Sequence, residues 1–208
     1  MTDFHLRELE RRWKETGSAE DEAAWLSERL RVGALSREHL VLAAKLGHLA
    51  ALRIAADVEE GDEDDWWEES GLLWDAVELL GPMLPARAAC QWVEPAVRCF
   101  EGERPEDPRL RAALEATQAW LACPCEAHHR AARVAGEVAE TLSEELPVGR
   151  HSVAAAAAAA LTDTTHPDTD RATTAAQSAA VNAAAVAQRP EEARWQRSTL
   201  AKLLLGLD

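Results

Sequence analysis

One short segment of the sequence gathers side chains that could bind a metal ion. It spans residues 123–129, reads CPCEAHH, and holds two of the four cysteines and two of the seven histidines. Structural zinc sites take four thiolate or imidazole ligands, usually from pairs separated by two to four residues. A single residue separates these two cysteines, and Cys90 and Cys99 lie too far apart to form a second close pair. We therefore interpret the segment mainly as a corner between two helices, and the candidate metal ligands are Cys123, Cys125, His128 and His129.

The spacing within this segment matters for any chemistry it could perform. Cys125 and His129 are four positions apart, so on a helix their side chains would face the same way. A Cys–His nucleophile pair also needs a group that orients the histidine, and the sequence indicates none. There is no phosphate-binding glycine loop, dinucleotide-binding motif or HExxH zinc motif. We expect a non-enzymatic protein without a cofactor.

A second segment is defined by charge. Residues 57–69 contain nine acidic and no basic side chains, together with two adjacent tryptophans. The order of the acidic residues does not match a calcium-binding loop. As structure, the run would be a solvated loop followed by a favourable helix N-terminus; as function, it could receive Lys and Arg side chains of a protein partner. The predicted contact residues are Asp62, Glu63, Asp64, Asp65, Trp66, Glu68 and Glu69, whereas Trp67 and Trp74 are assigned to the core.

The overall charge limits the partners. The 208 residues carry a formal net charge of −15, which argues against direct binding of nucleic acid. No apolar run approaches the ~20 residues that span a bilayer, and the charged N-terminus does not resemble a signal peptide. We therefore expect a cytoplasmic protein, with no membrane partner, whose cysteines stay reduced.

Helical periodicity runs through the chain, and no strand pattern is present. We predict an all-α fold of about ten helices, stacked as antiparallel hairpins in an α-solenoid-like array or a helical bundle. Residues 1–81 would form an acidic, Trp-containing segment and residues 82–208 an Ala-rich segment, packed as one continuous unit. Cys123 is predicted to cap a helix that has Pro124 at its first position. Pro95 is predicted to kink or restart a helix, and Trp120 and Trp195 to support the Ala-rich helices.

The second segment also resembles a known family. The stretches WVEPAVRCFE (residues 92–101) and PEDPRLRAALEATQAWL (residues 105–121), followed by Ala-rich helices, resemble a bacterial family of immunity proteins, the Imm5-like group. The resemblance covers about residues 82–206, and its most distinctive part is the helix around Glu115 and Trp120. It implies a protein that neutralises a toxin by binding it rather than by chemistry.

Three hypotheses follow from these features. The first is a non-enzymatic protein that binds a protein partner, such as a basic toxin domain, through the acidic surface. The second is a helical metalloprotein that uses the Cys-Pro-Cys corner as a zinc site. The third is a helical scaffold or regulator that binds a small ligand between its Ala-rich helices or dimerises.

Overall fold

The computed structural model describes residues 2–55, 72–187 and 191–207 of the chain. These ranges contain eleven α-helices and no strand, which confirms the predicted all-α class. Across the described ranges, no helix combines the length and apolar character needed to cross a bilayer. The helices are α1 (Thr2–Thr16), α2 (Ala19–Arg31), α3 (Arg37–Lys45), α4 (Leu49–Ile54), α5 (Leu72–Leu80), α6 (Leu84–Glu103), α7 (Arg109–Ala122), α8 (Glu126–Glu145), α9 (Arg150–Asp163), α10 (Thr169–Ala187) and α11 (Glu192–Leu205).

The described residues divide into two compact units. The first is drawn from Met1–Leu79 and Arg197–Asp208, and the second from Leu80–Gln196. The last helix, α11, therefore contributes its first turn to the second unit and the rest of its length to the first.

Short side-chain caps define the helices of the first unit. Ser18 accepts a hydrogen bond from the backbone N–H of Asp21, and Ser36 accepts one from that of His39, so each serine caps the N-terminus of its helix, α2 or α3. Gly17 ends α1 with a φ of 62°, a conformation that glycine adopts without steric cost. Local interactions therefore set these helix ends.

A stack of three side chains joins α1, α2 and α11 in the first unit. The rings of Trp13 and Trp25 lie 4.8 Å apart and nearly parallel, and the guanidinium of Arg29 lies 4.7 Å from the centre of the Trp25 ring. Arg29 Nη1 also donates a hydrogen bond to the carbonyl of Leu205, the last residue of α11. The final carbonyls of a helix lack partners within the helix. Arg29 therefore stacks on the Trp25 ring and also caps the C-terminus of α11.

His48 begins α4 as a neutral side chain. Its Nδ1 accepts a hydrogen bond from the backbone N–H of Ala51, a role that only an unprotonated nitrogen can play. Burial, reinforced by the positive charge of Lys202, lowers the pKa of His48 to about 4. Glu22 Oε1 lies 3.5 Å from His48 Nε2, and burial raises the pKa of that carboxyl. The imidazole of His48 is thus held neutral in a largely buried site.

The second unit is built on helices that bury alanine. In α9 the buried positions repeat at a spacing of one, three and four residues, which turns one face of a seven-alanine run inward. The neighbouring helices face it with the same residue type. The buried alanines are Ala132 and Ala139 of α8, Ala154, Ala155, Ala157 and Ala158 of α9, and Ala172, Ala176, Ala179, Ala180 and Ala183 of α10.

The closest approach within this unit occurs where α8 meets α9. A Cβ atom placed on Gly136 would lie 1.9 Å from Thr162 Oγ1 and 3.0 Å from Thr162 Cβ. Thr162 Oγ1 donates a hydrogen bond to the carbonyl of Ala159, which holds it in this position. The two helices can adopt this separation only because position 136 has no side chain.

Large side chains anchor the alanine helices, but they are not the predicted ones. Trp195 is 37% exposed and Trp120 is half-buried, so neither is a fully buried anchor of these helices. Among the tryptophans that the structure describes, Trp92 of α6 is fully buried, and its Nε1 donates to the carbonyl of Gln196. Because α6 is one helix from Leu84 to Glu103, the chain does not restart at Pro95. The polarity pattern of the sequence does not by itself decide which tryptophan side chain is buried in the core.

An arginine also ties α7 to α6. Arg111 of α7 places Nη2 2.7 Å from Glu101 and Nη1 3.0 Å from Glu94, both on α6. All three side chains are half-buried, so the interaction is screened less than a surface pair. The hydrogen bond to Glu101 is the largest of the effects that raise the pKa of Arg111. Residues 92–101 and 105–121, which carry the family resemblance, therefore lie mainly on α6 and α7, and this charged contact joins the two helices.

The contact at Gly136 gives a stability prediction. Replacing Gly136 with Ala should lower the free energy of unfolding by about 1–3 kcal/mol, because the new methyl group overlaps Thr162. Gly102→Ala is the matched control: it is also helical, no atom lies within 4 Å of its added Cβ, and alanine should leave stability unchanged or raise it by up to about 1 kcal/mol. Urea unfolding followed by circular dichroism measures both.

Adding Thr162→Ala gives a further check on the same contact. In a double-mutant cycle, the two substitutions together should cost less than the sum of their separate costs. A Gly136→Ala variant as stable as the wild type would mean that α8 and α9 do not pack as closely as described.

The neutral state of His48 gives a prediction about pH. The unfolded chain takes up a proton near pH 6.5, whereas folded His48 does so only near pH 4, so stability is lost as the pH falls through this window. Between pH 7 and pH 5 the loss from this group should be about 1–2 kcal/mol. The carboxyl of Glu22 acts in the opposite direction, because its raised pKa favours protonation of the folded state.

A His48→Asn variant isolates the effect, since asparagine can still cap α4 but does not titrate. The measurement is the free energy of unfolding in urea at pH 7 and pH 5. The wild type should lose more stability than the variant, and equal losses would contradict the assignment.

Candidate functional site

The predicted acidic contact residues lie outside the described structure. Asp62, Glu63, Asp64, Asp65, Trp66, Glu68 and Glu69 all fall between residues 55 and 72, as does Trp67. Their role as a contact surface stays a prediction. The described chain resumes at Leu72, the first residue of α5 in the first unit.

Helix α5 presents two faces of different chemistry. One face is buried and consists of Leu72, Leu73, Ala76 and Val77. The other face is exposed and consists of Trp74, Asp75, Glu78 and Leu79. Trp74 is 36% exposed, so its predicted place in the core is wrong. We call the exposed set the α5 face; like the acidic run that precedes it in the sequence, it combines carboxylates with tryptophan.

A groove of about 410 Å³ lies beside the α5 face, within the same unit. Val41, Leu42 and Leu79 supply apolar lining, while α3 contributes charges of both signs and α5 contributes carboxylates. The charged lining residues are Arg37, Glu38, Lys45, Asp75 and Glu78. The groove therefore combines an apolar floor with charges of both signs, a common composition at protein interfaces.

The Cys-Pro-Cys corner lies in the second unit, between α7 and α8. Cys123 follows the last residue of α7, Cys125 precedes the first residue of α8, and the backbone N–H of Cys125 donates to the Cys123 carbonyl over 2.8 Å. The prediction that Cys123 caps the N-terminus of the helix after the corner is therefore wrong, because Cys125 precedes α8. Pro124 lies in the turn itself, two residues before Glu126, the first residue of α8.

Three potential metal ligands converge at this corner. The sulfur atoms of Cys123 and Cys125 and a ring nitrogen of His128 all lie within 4.8 Å of one another. His128 Nδ1 is 3.4 Å from Cys125 Sγ and 2.9 Å from the Cys123 carbonyl oxygen. Both cysteines are exposed, so solvent reaches the cluster. We call these three residues the thiol–imidazole cluster.

The remaining candidate ligands lie elsewhere. His129 Nδ1 lies 3.0 Å from Thr165 Oγ1, on the α9 side of the helix. Cys90 is buried and Cys99 half-buried in α6, and neither belongs to the cluster. The expected pairing of Cys125 with His129 is thus replaced by a pairing with His128. The spacing of three residues, which also joins neighbours on a helix, was the signal that could have identified it.

The two thiols of the cluster differ in acidity. The backbone amide of His128 is the largest of the causes that hold the pKa of the Cys125 thiol below its usual value, and the Cys123 side chain acts in the same direction. The same contact raises the pKa of the Cys123 thiol. Burial, followed by the charge of Glu94, raises the pKa of Cys90 to about 12. The corner therefore holds one thiol biased toward thiolate and one toward the protonated form.

A second groove, of about 550 Å³, runs along α8 and α9 in the same unit. Its floor includes Ala156, Ala159 and Ala160, which the close approach of the helices leaves at the surface. Charged and polar residues of both helices and Arg171 form its rim, and they include His129, Arg133, Glu137, Glu140, Asp163 and His166. The groove offers hydrogen-bonding groups around an apolar strip.

Comparison with known proteins relates the chain to one family. Residues 66–204 match the model of DUF6931, a family of unknown function. The matched range includes α5, the thiol–imidazole cluster and the α8–α9 groove. Searches of curated proteins and of solved structures give no match.

The acidity of the cluster predicts an order of thiol reactivity. In metal-free, reduced protein, Cys125 should react first with iodoacetamide as the pH is raised, because the thiolate is the nucleophile and its pKa is lowered. Cys123 should follow, and buried Cys90 should react only after unfolding. Mass spectrometry of alkylated peptides across a pH series measures the order. A Cys123→Ser change should shift the Cys125 profile to higher pH, and faster reaction of Cys90 would contradict the burial described.

Proposed function

The chain belongs to the DUF6931 family, and we propose that it is a non-enzymatic protein that binds a basic protein partner through an acidic surface. The observation that supports this most directly is the α5 face, where two carboxylates and a tryptophan lie exposed on one side of a helix. The surface would comprise this face and the acidic run before it, including Asp62, Asp64 and Asp65.

Charge and aromatic side chains suit this role for distinct reasons. Carboxylates attract a basic partner over a distance and speed its association, which a net charge of −15 reinforces. A tryptophan such as Trp74 provides a large, rigid contact that can also receive an arginine over its ring. Interfaces are enriched in both tryptophan and arginine. The α5 face supplies one side of that pairing.

The groove beside α5 supports a specific contact rather than general attraction. Leu79 lies on the α5 face and also lines the groove with Val41 and Leu42, so the α5 face leads into an apolar depression. An apolar side chain of the partner could be buried there while its lysines and arginines meet Asp75 and Glu78. Burial of an anchor of this kind contributes most of the affinity in many complexes.

The resemblance to immunity proteins gives the proposal a biological form. The partner would be a toxin with a basic domain, neutralised by direct binding. Such a protein would act in the cytoplasm, where its four thiols stay reduced. This form rests on the resemblance of residues 92–121 and of the Ala-rich helices that follow.

A second candidate function is binding of a small ligand in the α8–α9 groove. The observation that favours it is the alanine strip of the groove with its polar rim, since apolar lining with a few polar groups is common in small-molecule sites. The two functions place the working surface in different units, so substitutions separate them.

The proposed contact is tested by charge reversal with a matched control. The partner, captured from cytosol and identified, is purified and titrated by calorimetry against Asp75→Lys/Glu78→Lys and against Glu140→Lys/Glu144→Lys. Both variants change the net charge by the same amount, but only the first alters the α5 face. The first should weaken binding at least about tenfold, equivalent to ~1.4 kcal/mol, and the second should weaken it much less.

The acidic run and Trp74 complete the test. Asp62→Lys/Asp64→Lys/Asp65→Lys and Trp74→Ala should each weaken binding, and binding of the wild type should weaken as salt is added. Equal effects of the α5 and α8 reversals would show general attraction only. Loss of binding confined to the α8 reversal would favour the α8–α9 groove.

A further inference from the structure

We propose that Cys123, Cys125 and His128 bind a zinc ion through their two sulfur atoms and the Nδ1 of the imidazole, with the fourth position open to solvent. The thiol–imidazole cluster brings these three ligand atoms within 4.8 Å of one another. Two thiolates and one imidazole are a set that zinc accepts, and sites with three protein ligands leave the fourth position to water or an incoming ligand.

The distances already resemble those of a coordinated ion. Zn–S bonds of about 2.3 Å and Zn–N bonds of about 2.0–2.1 Å, at a tetrahedral angle, place sulfur and nitrogen about 3.5 Å apart. In the structure Cys125 Sγ and His128 Nδ1 are 3.4 Å apart. This pair therefore needs almost no movement. Cys123 Sγ already lies within 4.8 Å of both atoms.

The backbone holds the ligands before any ion binds. The hydrogen bond from Cys125 N to the Cys123 carbonyl closes the turn, and the N–H of His129 donates to the Cys125 carbonyl in the first turn of α8. Pro124 restricts the turn further. A site of this kind loses little conformational entropy on binding, because the chain is already ordered around it.

One contact has to change. His128 Nδ1 lies 2.9 Å from the Cys123 carbonyl, an arrangement in which the nitrogen carries the proton. Coordination requires the other tautomer, with the proton on Nε2 and the Nδ1 lone pair directed at zinc. Each bound ion would displace two thiol protons, since zinc is held by thiolates, so binding should weaken as the pH falls.

The exposure of the two cysteines distinguishes this cluster from ordinary packing. Free cysteines are among the most buried residues, and Cys90 follows that rule. Cys123 and Cys125 are instead exposed residues, and a turn around proline does not need a thiol on either side. Imidazole and thiolate together also favour zinc over hard cations such as Mg²⁺ and Ca²⁺, which prefer oxygen ligands.

The test uses the full chain, reduced and without a histidine tag. Titration with Zn²⁺ against a chromophoric chelator should give about one ion per chain. Cobalt(II) in place of zinc should give visible absorption bands of a tetrahedral site and sulfur-to-metal charge transfer in the near ultraviolet. Cys123→Ser, Cys125→Ser and His128→Ala should each lower the affinity at least about tenfold.

His129→Ala is the matched control. The His129 imidazole contacts Thr165, so removing it should leave zinc affinity unchanged. Cys99→Ser controls for a thiol outside the cluster. Far-ultraviolet circular dichroism checks that each variant is folded; if one is not, the other two ligand substitutions still decide the question.

Three results would overturn the proposal. The first is less than about 0.2 zinc per reduced chain at saturation. The second is zinc affinity that falls equally in the His128 and His129 variants, and the third is affinity that survives the loss of His128. The thiol–imidazole cluster does not include the α5 face, so none of these results bears on the proposed protein contact.

Discussion

The close approach of α8 to α9 fixes the geometry of the second unit. Gly136 permits it, because any Cβ at that position would overlap Thr162. Alanine rows on both helices then pack with little side chain between the backbones, which strengthens dispersion contacts over a short distance. The rotation of α8 about its own axis follows from this contact. So does the direction taken by every other side chain on that helix.

The adjacent residues His128 and His129 show how the rotation of α8 sets the direction of its side chains. His129, Ala132, Gly136 and Ala139 recur at three- and four-residue intervals, so they share the face that meets α9. His129 accordingly reaches Thr165. His128 is rotated by about 100° from that face and turns back to the cysteines at the start of the helix. The packing constraint thus separates two residues that look equivalent in the sequence.

Much of the fold was predictable because its signals are local. Serine caps, glycine stops and alanine spacing each act within one turn, so Ser18, Ser36 and Gly17 mark helix ends correctly. The start of α8 was missed because the rule for proline at the first helical position ignores that Cys123 already ends α7. Trp74 and Trp195 were misplaced for a different reason: their burial depends on which face of a helix meets the core, and that is decided by packing.

The candidate sites were less predictable, since they depend on side chains that leave the core. Phe4 and Val148 are also exposed, so exposure of an apolar residue alone indicates no function. Trp74 differs from these residues because other exposed side chains surround it: Asp75, Glu78 and Leu79 share its face of α5. Cys123 and Cys125 are distinguished in the same way, by the imidazole that faces them. A side chain usually found in the core becomes informative when it is exposed together with partners of matching chemistry.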